Sequence, residues 1–193
     1  LWWQSEQELD TAGRLTNQTF AMDDGTTRRD RWDQADAADW WYETRTSDAL
    51  GRDLYRGLRY DNGTWTEWSW DPGNIASWWQ VTTDYNAQNQ SLRQEVDYDN
   101  GRRDVNVWDR ANTASWSQDS VSYDAEGRMD FHQVSNDDGT RTEERWDVAN
   151  VQAWSRRHDT YDAWGRLTRA ETNADNGTTA VDEYDHANTR DWT

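Results

Sequence analysis

The residues whose type and spacing best suit chemistry are acidic. Asp23, Asp61, Asp99, Asp137 and Asp175 recur at a constant interval of 38 residues, each opening an Asp-Asp-Gly or Asp-Asn-Gly segment. Carboxylate and amide oxygens gathered in a turn, as in Asp97-Tyr98-Asp99-Asn100-Gly101, are the donors that calcium takes, so these five residues are the metal-ligand candidates and calcium the candidate cofactor. Turn chemistry alone also places Asp before Asn-Gly or Asp-Gly. Neither an EF-hand loop nor a glycine-rich calcium-binding nonapeptide occurs. A second recurring set, Asp33, Asp71, Asp109, Asp147 and Asp185, follows an aromatic residue each time and is expected to cap a helix.

Exposed indoles stack on sugar rings, and 16 Trp make a glycan the other ligand to weigh. Thirteen of them fall in three columns of the 38-residue period, as core residues would. Trp65, Trp68 and Trp164 lie outside the columns and are the binding candidates. Catalysis finds no foothold. His132, His158 and His186 occupy three different places in the period, and no nucleophile-base pair stands out among so many Ser and Asp. No catalytic residue is assigned, and a non-enzymatic protein is expected.

These residues must be positioned by a repeated element. Units run 4–41, 42–79, 80–117, 118–155 and 156–193 without insertion, and residues 1–3 form the tail of a preceding repeat, Trp2 and Trp3 standing 38 before Trp40 and Trp41. In the fourth unit, Gln118 to Tyr123 alternates and meets a tight turn at Asp124-Ala125-Glu126-Gly127. A second strand runs from about Arg128 to Ser135 into the Asp-Gly hairpin, and Thr140 to Trp146 returns as a third. Asp147-Val148-Ala149-Asn150-Val151-Gln152-Ala153-Trp154 then has apolar residues at helical spacing, and Pro72 sits at the first helical position of the equivalent segment.

The pattern predicts a mainly β fold: tandem repeats of three antiparallel strands plus a short helical turn, stacked as an open solenoid or superhelical sheet with Trp ladders as its core. A closed five-unit, propeller-like ring is the alternative. One unit buries too little to fold alone, because ordering each residue costs about 1.5 kcal/mol and a buried Trp returns at most about 5 kcal/mol.

Composition narrows the partners. With 38 acidic against 20 basic residues the formal net charge is -18, and every Lys/Arg residue is Arg. Such a polyanion repels phosphate backbones and anionic lipid surfaces, so nucleic acid is excluded, and no apolar run is long enough for membrane insertion. Neighbouring repeats, further copies in an assembly and a glycan remain as partners. Cysteine is absent, so there is no disulfide framework.

Two resemblances attach to particular residues. Tyr123-Asp124-Ala125-Glu126-Gly127-Arg128-Met129 and Tyr161-Asp162-Ala163-Trp164-Gly165-Arg166-Leu167 resemble the Tyr-Asp repeat of bacterial Rhs proteins and teneurins. The resemblance extends to Leu9-Asp10-Thr11-Ala12-Gly13-Arg14-Leu15 and Ser47-Asp48-Ala49-Leu50-Gly51-Arg52, and departs at Tyr85-Asn86-Ala87-Gln88-Asn89-Gln90. The whole unit, with its Asp-Gly hairpin and Trp-Asp-x-Ala-Asn-x-x-x-Trp segment, is similar to the Trp-rich repeats of very long bacterial secreted proteins that also carry RTX segments. These resemblances imply a β-rich, extracellular or cell-surface scaffold: a stalk, filament or matrix element, an adhesin module, or a shell segment of an Rhs-like toxin.

Overall fold

In the computed structural model, residues 1–186 are described; the last residues of the fifth repeat, Trp192 among them, lie outside that range. The chain divides into two compact units, Leu1–Asp99 and Asn100–Thr193. The first holds β1 (Trp2–Leu9), β2 (Leu15–Met22), β3 (Thr27–Trp32), β4 (Trp40–Ser47), β5 (Asp53–Tyr60), β6 (Trp65–Trp70), β7 (Trp78–Tyr85) and β8 (Ser91–Tyr98). The second holds β9 (Arg103–Trp108), β10 (Trp116–Tyr123), β11 (Met129–Asn136), β12 (Arg141–Trp146), β13 (Trp154–Tyr161), β14 (Leu167–Ala174) and β15 (Thr179–Glu183). Within each unit every strand pairs antiparallel with its chain neighbours.

This meander corrects the ring alternative. Propeller blades are separate sheets, whereas here the last strand of one repeat pairs with the first strand of the next, as β3 does with β4 and β12 with β13. The first and last strands of neither unit pair with each other, so neither sheet closes.

The predicted helical turn is also absent; the described residues contain no helix. In its place is a β-turn in which Asn74 N–H bonds Asp71 O at 3.1 Å and Asn150 N–H bonds Asp147 O at 3.0 Å. Asp36, Asn74, Asn112 and Asn150, one column of the repeat, all have φ of 52–53°. A left-handed residue ends any right-handed helix, and Asn and Asp tolerate that region better than other side-chain-bearing residues. The column that reads as helical is therefore a stop.

Nor do the Trp columns form a ladder. In the first unit, direct cross-strand partners run Gln7, Gln18, Asp30, Thr44, Gly57, Glu67, Thr83, Gln94. Gln18 thus shares its face with Gly57 rather than with Arg56, its mate in the next repeat, and meets a mate again only at Gln94, in the repeat after that. Three strands per repeat make the equivalent strand of the next repeat run backwards. A chiral chain whose strand direction reverses while its direction of growth is kept must also turn over its face. Trp32 and Trp70 consequently stand on opposite faces, each half-exposed.

Among the described residues the only buried hydrophobic side chain is Ala170. What is buried lies mid-strand and is polar: Asp30, Glu43, Thr66, Thr83, Glu143 and Asp159. Arg stems and aromatic rings lie over the sheet and shield these groups, as in the guanidiniums of Arg56 over Trp68 at 5.2 Å and Arg145 over Phe131 at 5.3 Å.

Candidate functional site

Three kinds of turn carry the recurrent acidic residues, and each uses its carboxylate on its own backbone. In the Tyr-Asp turn, Asp48 Oδ1 accepts from Leu50 N at 2.9 Å and Arg52 N at 2.8 Å, while Arg52 Nε donates to Oδ2 at 2.7 Å. Asp10, Asp124 and Asp162 do the same with Arg14, Arg128 and Arg166. The departing segment builds this turn from neutral parts. Asn86 Oδ1 accepts from Gln88 N and Gln90 N, its amide donates to Gln90 Oε1 at 2.8 Å, and Asn89 takes the left-handed φ that glycine takes elsewhere. Asp with Arg has become Asn with Gln, and the geometry is kept.

In the Asp-Gly turn the second residue does the bonding. Asp24, Asn62, Asp138 and Asn176 each accept from the N–H and hydroxyl of the Thr two residues on, at 2.6–3.0 Å. The glycine's missing side chain is filled from the next Tyr-Asp turn: a Cβ on Gly63 would lie 3.1 Å from Ala87 Cβ, and one on Gly139 3.0 Å from Ala163 Cβ. With φ of +82° and +84°, both positions are closed to other residues twice over.

In the third turn Asp33 Oδ2 accepts from Ala37 N at 2.8 Å and Ala38 N at 2.6 Å, and Asp71, Asp109 and Asp147 likewise bind the N–H five residues on. The expected helix cap falls with the helix: these carboxylates instead close a loop on its own backbone. These bonds, led by Ala38 and Ala114, hold the Asp33 and Asp109 carboxyls below the ordinary carboxylate range.

The calcium candidates sit where the third turn of one repeat meets the Asp-Gly turn of the next. Asp61 N–H bonds Asp39 O at 3.1 Å, Asp99 N–H bonds Ser77 O at 3.2 Å, and Asp137 and Asp175 repeat the contact with Ser115 and Ala153; Asp23 N–H bonds Leu1 O. With its amide turned to donate, Asn74 reaches both Asp99 oxygens, at 3.1 and 3.3 Å. Asp36 replaces that Asn in the first repeat. There, desolvation and then the charges of Asp36, Asp33 and Asp39 push the Asp61 carboxyl up. No group of three or more His, Cys, Asp or Glu among the described residues is disposed to hold a metal ion.

Of the glycan candidates, Trp65 and Trp68 point to opposite faces of β6. Trp65 is enclosed in a row: the Arg59 guanidinium lies 4.9 Å from its ring, Tyr85 stacks on it at 3.9 Å, and its indole N–H bonds Asn89 at 3.1 Å. Trp68 carries Arg56. Trp164, in the second unit, is 80% exposed at the tip of a Tyr-Asp turn. Trp65 and Trp68 therefore share no surface.

The sheet gathers groups that lie apart in the sequence pattern. His132, Glu144, His158 and Glu171 are direct cross-strand partners on one face of the second unit. His132 pairs with Asp119 at 2.9 Å and His158 with Glu144 at 3.1 Å. Burial raises the Glu144 pKa, but Arg156 and His158 outweigh it and hold the carboxyl below its usual value. Only strand register reveals this row, since its two His fall in different columns. On the opposite face, Arg145 pairs with both Glu143 and Asp159, the latter at 3.2 Å, and Arg157 meets Asp159 at 2.9 Å.

Charge pairs of this kind, tight turns and a shared polar mid-line define a class of protein: an all-β antiparallel repeat sheet stabilised by side chains lying on its surfaces. No family model matches the chain, and no curated protein matches it.

Proposed function

We propose that the chain is a non-enzymatic structural repeat segment of a larger extracellular or cell-surface protein, serving as a stalk, filament or matrix element in a solenoid-like array. One observation carries this reading. Successive repeats are joined by main-chain pairing and, at Gly25, Gly63 and Gly139, by the seating of the Asp-Gly glycine on the next turn's alanine. A repeat therefore adds length without requiring a globular core, and its first partners are its neighbours in the chain. The test is a series of fragments of increasing repeat number: the melting temperature rises with number if the repeats stabilise one another, and equal values for two-repeat and five-repeat fragments would sink the proposal.

A second reading, a shell segment of an Rhs-like toxin, is favoured by the recurrence of the Tyr-Asp turn geometry in all five repeats, the neutral one included. A toxic domain encoded downstream would support it.

A further inference from the structure

A cleft opens beside the aromatic-Asp segment more than once. In the first unit, one cleft of about 280 Å³ holds Trp32 and Asp33, and another of about 390 Å³ holds Trp70 and Asp71, the equivalent pair of the next repeat. The second unit has a cleft of about 490 Å³ on Tyr184 and Asp185. The Trp70 cleft differs in its lining, which is Arg52, Asp53, Trp70, Asp71, Pro72 and Trp79.

The indole of Trp79 is more than its bulge requires. Trp79 occupies the bulge of β7, where the structural duty belongs to the carbonyl, which accepts Asp71 N–H at 3.1 Å. Ser117 and Ser155 hold the same position in the second unit and perform that duty at 3.2 and 3.1 Å. Their hydroxyls tie down to Ser135 O and Asn173 O. Where Ser suffices, Trp79 leaves 47% of its surface in water. Trp41 fills the same bulge one repeat earlier, accepting Asp33 N–H at 3.1 Å, but Asp53 is particular to this repeat: the same column holds Leu15, Ser91, Met129 and Leu167. Pro72, the chain's one proline, closes the cleft with a rigid ring, and its carbonyl fixes Arg52 through Nη1 at 2.8 Å.

We propose that this cleft binds an uncharged pyranose sugar, with the indole of Trp79 against the C–H face of the ring and Asp53 accepting its hydroxyls. Asp53 Oδ2 accepts from Arg45 Nη2 at 2.8 Å, and a carboxylate oxygen has capacity for a second donor. A flat apolar platform beside a fixed carboxylate and guanidinium matches a ligand with one C–H face and a hydroxyl rim. An alkyl chain would strip water from the Asp53 and Asp71 carboxylates and offer no hydrogen bond in return, and an acidic sugar would meet Asp53, Asp71 and a net charge of -18. The volume falls in the roughly 300–1,000 Å³ range of small-ligand sites.

The test uses the full chain and short gluco-, manno-, galacto- and N-acetylglucosamine oligosaccharides, followed by the indole N–H resonances in NMR and by calorimetry. One of these sugars is expected to shift the Trp79 resonance. Trp79→Ser, a residue the fold accepts at this bulge in two other repeats, weakens binding at least tenfold, as does Asp53→Leu, while Trp164→Ala leaves it within twofold. The proposal is overturned if no oligosaccharide shifts Trp79, if Trp79→Ser binds as the parent does, or if Trp164→Ala is the variant that abolishes binding. None of these outcomes depends on the chain's structural role.

Discussion

Two patches of sheet, two repeats apart and one in each unit, solve the same problem with different chemistry. In the first, Glu67 accepts from the phenols of Tyr55, at 3.2 Å, and Tyr85. In the second, Glu143 keeps the equivalent Tyr161 at 3.4 Å, but Phe131 has replaced the other phenol, and Arg145 and Arg141 supply cationic donors instead. The change is coordinated. Tyr55 reaches across the strand because Gly57 has no side chain: a Cβ there would stand 2.9 Å from the phenol oxygen. Where the phenol is gone the matching residue is Gln133, and where Arg145 arrives, Asp159 replaces the buried Thr83 to meet it. The lesson is that the sheet selects side chains in cross-strand sets. Neutral donors and cationic donors around the shared carboxylate are interchangeable only as sets, because a lone buried charge is far costlier than a lone buried hydroxyl.

The comparison breaks hardest at Arg145. Arg145→Met takes one of two cationic donors from both Glu143 and Asp159, leaving Arg141 and Arg157, and is expected to cost about 2–3 kcal/mol in urea denaturation. Ser69→Ala, the same position in the other patch, is expected to cost no more than about 0.5 kcal/mol. Gly57→Ala comes next, at roughly 1–2 kcal/mol, because the crowding atom ends a side chain that can swing away. Desolvation first, and then Glu67, pushes the Tyr55 phenol up to about 12, and ultraviolet titration of tyrosinate should show it falling back towards 10 in that variant. Tyr55→Phe in the same chain should remove most of the cost of Gly57→Ala, as a double-mutant cycle would measure.

Acid sharpens a second contrast, between charged and neutral Tyr-Asp turns. Burial acts to raise the Asp48 pKa, but the bonds from Arg52 and Leu50 outweigh it and hold the carboxyl below its ordinary value. A depressed carboxyl contributes stability that is present above its unfolded pKa, about 3.9, and is lost as pH falls through the lower folded value. Amide exchange at Leu50 and Arg52 should therefore quicken in acid relative to Gln88 and Gln90, whose acceptor Asn86 does not titrate. The smallest effect is expected from Asp36→Asn, a slight rise in melting temperature as Asp61 loses a like charge and gains an amide. Melts in calcium and in chelator coincide if Asp61 and its equivalents act only as turn residues; a separation would assign them a metal.

The period, the three strands and the Asp-Gly hairpin are legible in the sequence because Asp, Asn and Gly declare tight turns locally. The third turn is not, for a specific reason. Asp147 to Trp154 has helical spacing of apolar residues, but Asn150 adopts a left-handed backbone that spacing does not encode. The Asn86 segment reads as a departure, since hydrogen-bond geometry, and not charge, is what it retains. The Trp columns suggest a ladder only if a repeat in sequence is also a repeat in direction, and here it is not. Cross-strand sets such as His132 with His158 require the register, which depends on bulges at both ends of the β10–β11 and β13–β14 hairpins.

Within each unit the odd number of strands per repeat turns every successive copy over. Such a sheet has no inner and outer surface: whatever one copy shows to the left, the next shows to the right. Duplicating a single repeat would reverse the sidedness of all that follows on the sheet, whereas duplicating a pair would restore it. Lengthening such a sheet therefore has a parity: only an even number of added repeats leaves the side chains beyond them on the surface they held before.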